Sequence, residues 1–515
     1  MKIFTTSHCY FPSASSGIPA TIEVCSSTGL VTAIHRNVRK SREEYPYVND
    51  EDFIHVADQY WLLPGLVDAH VHLNEPGRTE WEGFATGTAA AASGGVTTVV
   101  DMPLNAIPPT TTVDHLRQKL EAAKGQCRID CAFYGGVIPG NQVGPPSNLP
   151  ENREFLSAAE FFVPHPPQDD LVPLAKEGVK GFKCFLIESG VDEFPCVNEE
   201  QVLLAMPKIV EANSLFLFHA ELDTPTASPT TPSSPDPRSY STFLSSRPPS
   251  LEESAISLIL RTARQHPSLR THIVHLSAAS AIPALRKARR EERLKLSIET
   301  CFHYLVLTAE QISKGKTLYK CCPPIREAIN RDGLWKALIE GDIDFVVSDH
   351  SPCVTELKRL EEGDFMKAWG GIGGLGLGLS LLVTEGKRRG VGMEKILEWV
   401  CEKPARQVGL ERSKGRIQVG GDADFVVFDP RMKFTVRWTG SLFCRRIIIN
   451  RTDTQTHFFF SLQVNKSELH FKNRSSPYEG LELEGAVIKT YLRGQLVYDR
   501  ENGFKGIEPS GKMLL

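Results

Sequence analysis

Between about residues 62 and 353 the chain alternates short apolar runs with stretches of helical period. The apolar runs end near His72 (LVDAHVH), Pro103 (VTTVVDMP), Val137 (IDCAFYGGV) and Phe185 (VKGFKCF). Four more end near Ala220 (LFLFHA), Leu276 (THIVHL), Tyr304 (LKLSIETCFHY) and His350 (IDFVVSDH). They are apolar at nearly consecutive positions, which fits strands covered on both faces rather than strands with one wet face. Helical patterns lie between them, at 113–123, 199–210, 252–264 and 279–290. Eight strand–helix units in a row predict an α/β fold closed into a (β/α)8 TIM barrel. A doubly wound open sheet is the alternative. No glycine-rich phosphate loop follows the first strand, and that weighs against it.

Both ends of the chain leave this pattern. Residues 1–60 carry short β-like runs at 22–24 and 30–34, and 415–430 and 486–498 read the same way. The expectation is a small composite β-sandwich from residues 1–61 and 415–515, beside a barrel of residues 62–414. Residues 224–237 are rich in Pro, Ser and Thr, the composition of a mobile surface loop. Residues 437–463 combine basic side chains with triplets of Ile (447–449) and Phe (458–460) and show no period. Such triplets cannot keep one face toward a core, so this stretch is expected to be an irregular insertion outside the barrel.

Composition narrows the picture without redirecting it. The 515 residues are 41% hydrophobic and 23% charged, with net charge -4. That balance gives no bulk attraction to nucleic acid or to an anionic membrane. The first residues lack the apolar core of a secretory signal, and no run approaches a membrane span. The twelve cysteines follow no regular framework. Cys131 and Cys184 sit inside apolar runs, where a reduced thiol is expected, and the adjacent Cys321 and Cys322 are not a metal-type C-x-x-C. A soluble, cytoplasmic protein is the expectation.

The chemistry lies at the ends of the strands. His70 and His72, at i and i+2 of the first strand, point to one face, and imidazole is the commonest metal ligand. Lys183, His219, His275 and Asp349 end other strands, at the end of a barrel where active sites lie. Taken singly, each has an ordinary explanation: a satisfied core histidine, a snorkelling lysine, an aspartate capping the next helix. Together they require six unrelated reasons. An ammonium would repel cations. A buried lysine with a depressed pKa can instead take up CO2, and the resulting carbamate is an anion able to bridge two metals. Imidazole and carboxylate donors suit zinc best, with manganese, iron or cobalt as alternatives.

On these residues the chain resembles the amidohydrolase superfamily, in its cyclic-amide branch of dihydroorotases, dihydropyrimidinases or hydantoinases, and allantoinases. The resemblance implies a binuclear metal centre held by His70, His72, carbamylated Lys183, His219, His275 and Asp349. It also implies a homo-oligomer, a tetramer. The wording of residues 70–110, 240–249, 323–326, 348–353, 368–372 and 476–480 resembles allantoinases. Dihydroorotases typically carry arginine two residues after the second histidine, for a substrate carboxylate; here Asn74 stands there, and an amide suits a neutral ureide. The implied activity is hydrolysis of the cyclic amide of allantoin to allantoate, in purine degradation. Asp349 is expected to serve as general base and acid, with Asn74 and Asn330 contacting substrate; Asn330 could equally cap a helix. Other readings are a broader hydantoinase and a non-catalytic adaptor, the latter opposed by the complete ligand set. Phe302 stands where such relatives carry proline, and is expected to reshape the pocket. Residues 373–376 (GGLG) also depart from the commoner form.

Overall fold

The structure, a computed structural model, describes residues 1–12, 16–142, 169–223, 235–437, 469–473 and 475–515. All eight expected strands form: Leu66–Val71, Val96–Asp101, Asp130–Phe133, Phe182–Phe185, Leu215–His219, Arg270–Ile273, Leu296–Cys301 and Phe345–Val347. Neighbouring strands among them pair in parallel. The first three strands make one arc and the last five another. Two contacts close the ring. Gly135–Gly136, just past the third strand, pairs with Phe182 and Lys183. Val71 bridges His350, and the His72 amide donates to the His350 carbonyl at 2.8 Å. The Asp68 carboxylate reinforces this seam by accepting from the Ser348 amide at 3.2 Å. These strands are buried almost throughout, as their unbroken apolar runs require.

The helices between strands begin where local chemistry directs. Thr112 caps Val113–Ala123 by accepting from the His115 amide at 3.2 Å. Asn198 and Gln201 form a reciprocal capping box at the start of Glu199–Glu211. The pattern at 252–264 starts earlier, at Pro249, because proline is at home in a first helical turn. The pattern at 279–290 resolves into a short 3-10 turn, Ala279–Ala281, and a helix Ile282–Arg290 with proline in its opening turn.

The seventh strand corrects one expectation. It ends at Cys301, and Phe302–Val306 is helical. The new helix turns the Phe302 ring outward onto the helix Gly378–Arg388. A Cβ on Gly378 would lie 2.3 Å from that ring. Phe302 therefore fills the strand–helix layer, with Leu66, Val346 and Leu379 around it, and does not reshape the strand-end site.

Strands from both ends of the chain share one eight-stranded sheet. Trp61–Pro64 pairs antiparallel with Phe425–Thr435, and Lys2–Cys9 lies alongside. Phe4, Ile22, Leu62, Phe425 and Tyr491 belong to a core of its own, in which the Phe4 ring meets Phe425 edge-on at 4.9 Å. Residues 469–473 and 475–480 then return to the face of the barrel at the strand C-termini. The Lys472 amide donates to Glu82 at 3.1 Å, and the Ser476 hydroxyl donates to the Gly373 carbonyl at 2.7 Å. Tyr478 lies so close to Gly374 that a Cβ there would meet its ring at 2.7 Å. Gly376 adopts φ +93. The glycine-rich 373–376 run is thus the floor on which this returning arm rests. Among the described residues no helix is long and apolar enough to cross a membrane. The expected insertion at 437–463 lies outside the described residues from 438 onward, as do 224–234 of the expected loop.

Candidate metal centre

Five of the six strand-end groups meet around two points, and the sixth, Lys183, is buried where their charges reach it. His70 Nε2 and His72 Nε2 lie 3.2 and 3.4 Å from the same Asp349 oxygen. His219 Nδ1 lies 3.1 Å from His275 Nε2. The His70 and His275 rings are 5.4 Å apart, which joins the two pairs into one cluster. His70, His275 and Asp349 each present a ligand atom within 4.8 Å of the others. Lys183 is 1% exposed, with its amine 5.1 Å from the Phe185 ring. Phe185 in turn stacks on His219 at 4.4 Å, a wall that holds the imidazole plane.

The tautomers follow from the outer bonds. His70 Nδ1 is 2.5 Å from Glu299 Oε1, so that nitrogen carries the proton and Nε2 offers a lone pair. His219 Nε2 is 2.7 Å from Glu221 Oε2, so His219 offers Nδ1. Glu299 also accepts from His272 Nε2 at 3.0 Å and from the His275 amide at 3.2 Å. Glu221 is held in turn by Arg247 at 2.6 Å. Carboxylates behind ligand imidazoles fix ring orientation and raise basicity. Neither glutamate was singled out by the sequence reading. A signal existed: Glu299 lies within a buried strand, and a buried carboxylate must have partners. His219 and Glu221 are spaced i, i+2 in the same way as His70 and His72.

Electrostatics prepares these groups for cations. Burial pushes His70, His219 and His275 below the usual imidazole range, so they are neutral donors. Burial likewise lowers the Lys183 amine to about 8, against the pull of Asp349 and Glu299. Burial would raise Asp349, but its contacts with His70 and His72 hold it well below the carboxylate range. Glu299 stays ionised against the same burial penalty, brought to about 2 by His70 and His272. His70 Nε2 is buried without a hydrogen-bond partner, which is what a metal ligand looks like when only the protein is considered. His275 (φ 38), Asp349 (φ 42) and Asn74 (φ 63) adopt the left-handed region, each at about 1–3 kcal/mol. Strain of this kind gathers where geometry serves function.

The two asparagines part company. Asn74 Oδ1 is buried with no partner, and its Nδ2 makes only a long 3.4 Å contact to the Pro352 carbonyl. Asn330 sits inside the helix Ala328–Ile339 rather than at its cap. Its amide donates to the Ser277 carbonyl and accepts from the Ala279 amide, both at 2.8 Å. Its side chain is thus spent on the loop after the sixth strand. A cavity of about 610 Å3 lies elsewhere, between Trp61, Val383 and Met393, and contains none of these groups.

Comparison with known proteins agrees with this geometry. The Amidohydrolase family model matches residues 61–176 and 253–497. The chain is 48% identical to the allantoinase of Saccharomyces cerevisiae, over 88% of this chain and 86% of that one. It is 42% identical to the allantoinase of Streptomyces avermitilis, over 88% and 87%. Among solved structures, the L-hydantoinase (dihydropyrimidinase) from Arthrobacter aurescens superposes with TM-score 0.79 at 24% identity, covering 100% of both chains. The dihydropyrimidinase from Brevibacillus agri gives 0.76 at 25%, covering 99% and 98%. With a TIM-type barrel carrying histidine, lysine and aspartate at these strand ends, and matched over most of its length, the chain belongs to the amidohydrolase family, among its allantoinases.

Proposed function

We propose that the protein hydrolyses the cyclic amide of allantoin to allantoate. The observation that carries the reading is the convergence of His70, His72, His219, His275 and Asp349 around buried Lys183, in a chain whose curated relatives are named allantoinases. His70, His72 and Asp349 would hold one divalent ion and His219 and His275 the other, with Lys183, as its carbamate, between them. Zinc suits this nitrogen and oxygen donor set. Bound there, the ions would polarise the scissile carbonyl and make water acidic enough to attack near neutral pH.

The protein's own part is positioning and proton transfer. Asp349 takes the proton of the attacking water and gives it to the departing ring nitrogen. The carbonyl carbon gains oxygen, the C–N bond breaks, and the new acid ionises. Glu299 and Glu221 hold the imidazoles so that lone pairs face inward. Asn74, with an unused acceptor, is placed to receive a ring N–H. Asn330 we assign to the loop after the sixth strand, through its two backbone bonds.

Residues 1–61 and 415–515 are proposed as one composite β-sandwich domain on a barrel of residues 62–414, on the strength of their shared sheet and separate core. A homo-oligomer is part of the reading, and sedimentation in solution tests it. The eleven described cysteines are all unpaired, which fits the reducing cytoplasm. The deciding assay compares allantoin, dihydrouracil and dihydroorotate on the metal-loaded protein. Turnover of allantoin should dominate; comparable turnover of dihydrouracil would move the assignment to the dihydropyrimidinases.

A further inference from the structure

A buried imidazole nitrogen without a partner marks His70, and the same signature recurs at His303. His303 is 0% exposed, and neither of its ring nitrogens has a hydrogen-bond partner. It stands in the first turn of Phe302–Val306, directly after the seventh strand. Cys301, the last residue of that strand, is also 0% exposed. A ring nitrogen of His303, the Cys301 Sγ and an Asp349 oxygen lie within 4.8 Å of one another. A hydrogen-bonded triad would draw in to about 3 Å. Here the His303 ring nitrogens make no hydrogen bond, and the three donors lie within the reach that two metal–ligand bonds of about 2.0–2.3 Å span.

We propose that Cys301, His303 and Asp349 form a third metal site, specific for zinc-like, soft divalent ions, whose occupation inhibits the enzyme. The inference rests on the reading of Asp349 as the group that carries the proton. An ion held by that carboxylate ties up an electron pair that the water proton needs. The sulfur donor sets the selectivity. Cadmium and zinc favour a thiolate, whereas manganese favours oxygen donors. On binding, the Cys301 thiol gives its proton to solvent. Repulsion from two neighbouring cations makes this the last site to fill, so inhibition belongs to metal excess.

The test takes the holoenzyme with two equivalents of manganese and titrates it with cadmium chloride. Absorption of the thiolate–cadmium charge transfer, metal bound per chain and allantoin turnover are read together. A third equivalent should bind as the band appears, and turnover should fall in step. The same excess of manganese should do neither. Cys301→Ser should abolish the band and make the remaining turnover insensitive to cadmium. His303→Phe should weaken third-ion binding by about tenfold or more, as expected when one of few donors is lost. A band that persists in Cys301→Ser, or inhibition with an unchanged midpoint in that variant, overturns the proposal. Should the variants fold poorly, X-ray absorption of the wild-type cadmium form decides: one sulfur with nitrogen and oxygen neighbours is expected, and a sulfur-free or multi-sulfur shell refutes it. Failure of the binuclear reading would look different. The chain would then not retain its first two ions, whatever the Cys301-dependent band does.

Discussion

Lys183 is the residue on which the chemistry turns. Its buried amine titrates near 8, so the neutral form that reacts with CO2 grows about tenfold per pH unit below that value. Metal-free enzyme given zinc and bicarbonate should therefore recover activity faster as pH rises toward 8. A rate independent of both pH and bicarbonate would exclude the carbamate. The sign for stability is the same. The unfolded chain keeps its lysine proton to higher pH than the folded one, so between about 8 and the ordinary lysine value unfolding free energy rises with pH. Lys183→Ala should be nearly inactive, with partial rescue by acetate filling the vacated space; full metal content and normal turnover would remove its bridging role. Asp349→Asn should lose about 10²–10⁴-fold in turnover while retaining metal better than a double histidine replacement, because an amide cannot carry the proton. Glu299→Gln should weaken metal binding by about 10–100-fold, measured by competition with a chelator, since three donors lose their charged acceptor. The six inner residues were legible in sequence because histidine, lysine and aspartate are conspicuous at the ends of apolar strands. Glu299 and Glu221 were less so: a carboxylate in a buried strand and an i, i+2 spacing announce that partners exist, but not that they include His70, His272 and Arg247 from elsewhere in the chain.

At the scale of elements, apolar runs located all eight strands, since a doubly covered strand has little freedom in composition. Their ends were less legible. The run through Cys301-Phe302-His303-Tyr304 is equally apolar as strand or helix, and only packing against Gly378 shows where the strand stops. Asn330 shows the same limit: sequence placed it near the site, and tertiary contacts committed its amide to Ser277 and Ala279. Asn330→Ala should therefore cost about 1–3 kcal/mol of stability, read by chemical denaturation, with little change in KM. A large rise in KM at unchanged stability would return Asn330 to the substrate. The element that sequence handled least well is the arm at 469–473 and 475–480. Its contacts to Glu82, Gly373 and Gly374 cross the domain division expected from the β-like runs, because hydrophobic period reports which face is buried and not which partner covers it.

The whole molecule is joined at the far end of the barrel from the metal centre by a buried ionic cluster. Lys414 lies 2.5 Å from Asp130, which begins the third barrel strand, 2.7 Å from Asp422 and 2.8 Å from Asp424, which lead into the terminal sheet. Arg493, from the turn between the last two strands of that sheet, reaches Asp130 at 2.5 Å. The Lys512 amide donates to Asp130 at 2.7 Å, and the chain end then runs beside Cys131. Lys414 and Asp130 together thus link the barrel, the terminal sheet and residues 512–514. The three carboxylates surround Lys414 so closely that its ammonium is held above the ordinary lysine range, despite burial. Replacing it by an apolar residue does not remove the cluster; it leaves carboxylates facing one another out of water. Breaking a buried pair in this way costs about 3–5 kcal/mol. Lys414→Met should lose that much in denaturant unfolding, while the protein that remains folded binds metal normally, because the two sites lie at opposite ends of the strands. Replacing Asp130 as well, by Asn, should recover part of the loss, since one stranded charge goes with it. A Lys414→Met protein of unchanged stability would show that the terminal sheet is held to the barrel by apolar packing alone; one with normal stability but depleted metal would show that the bottom of the barrel governs the geometry of its top.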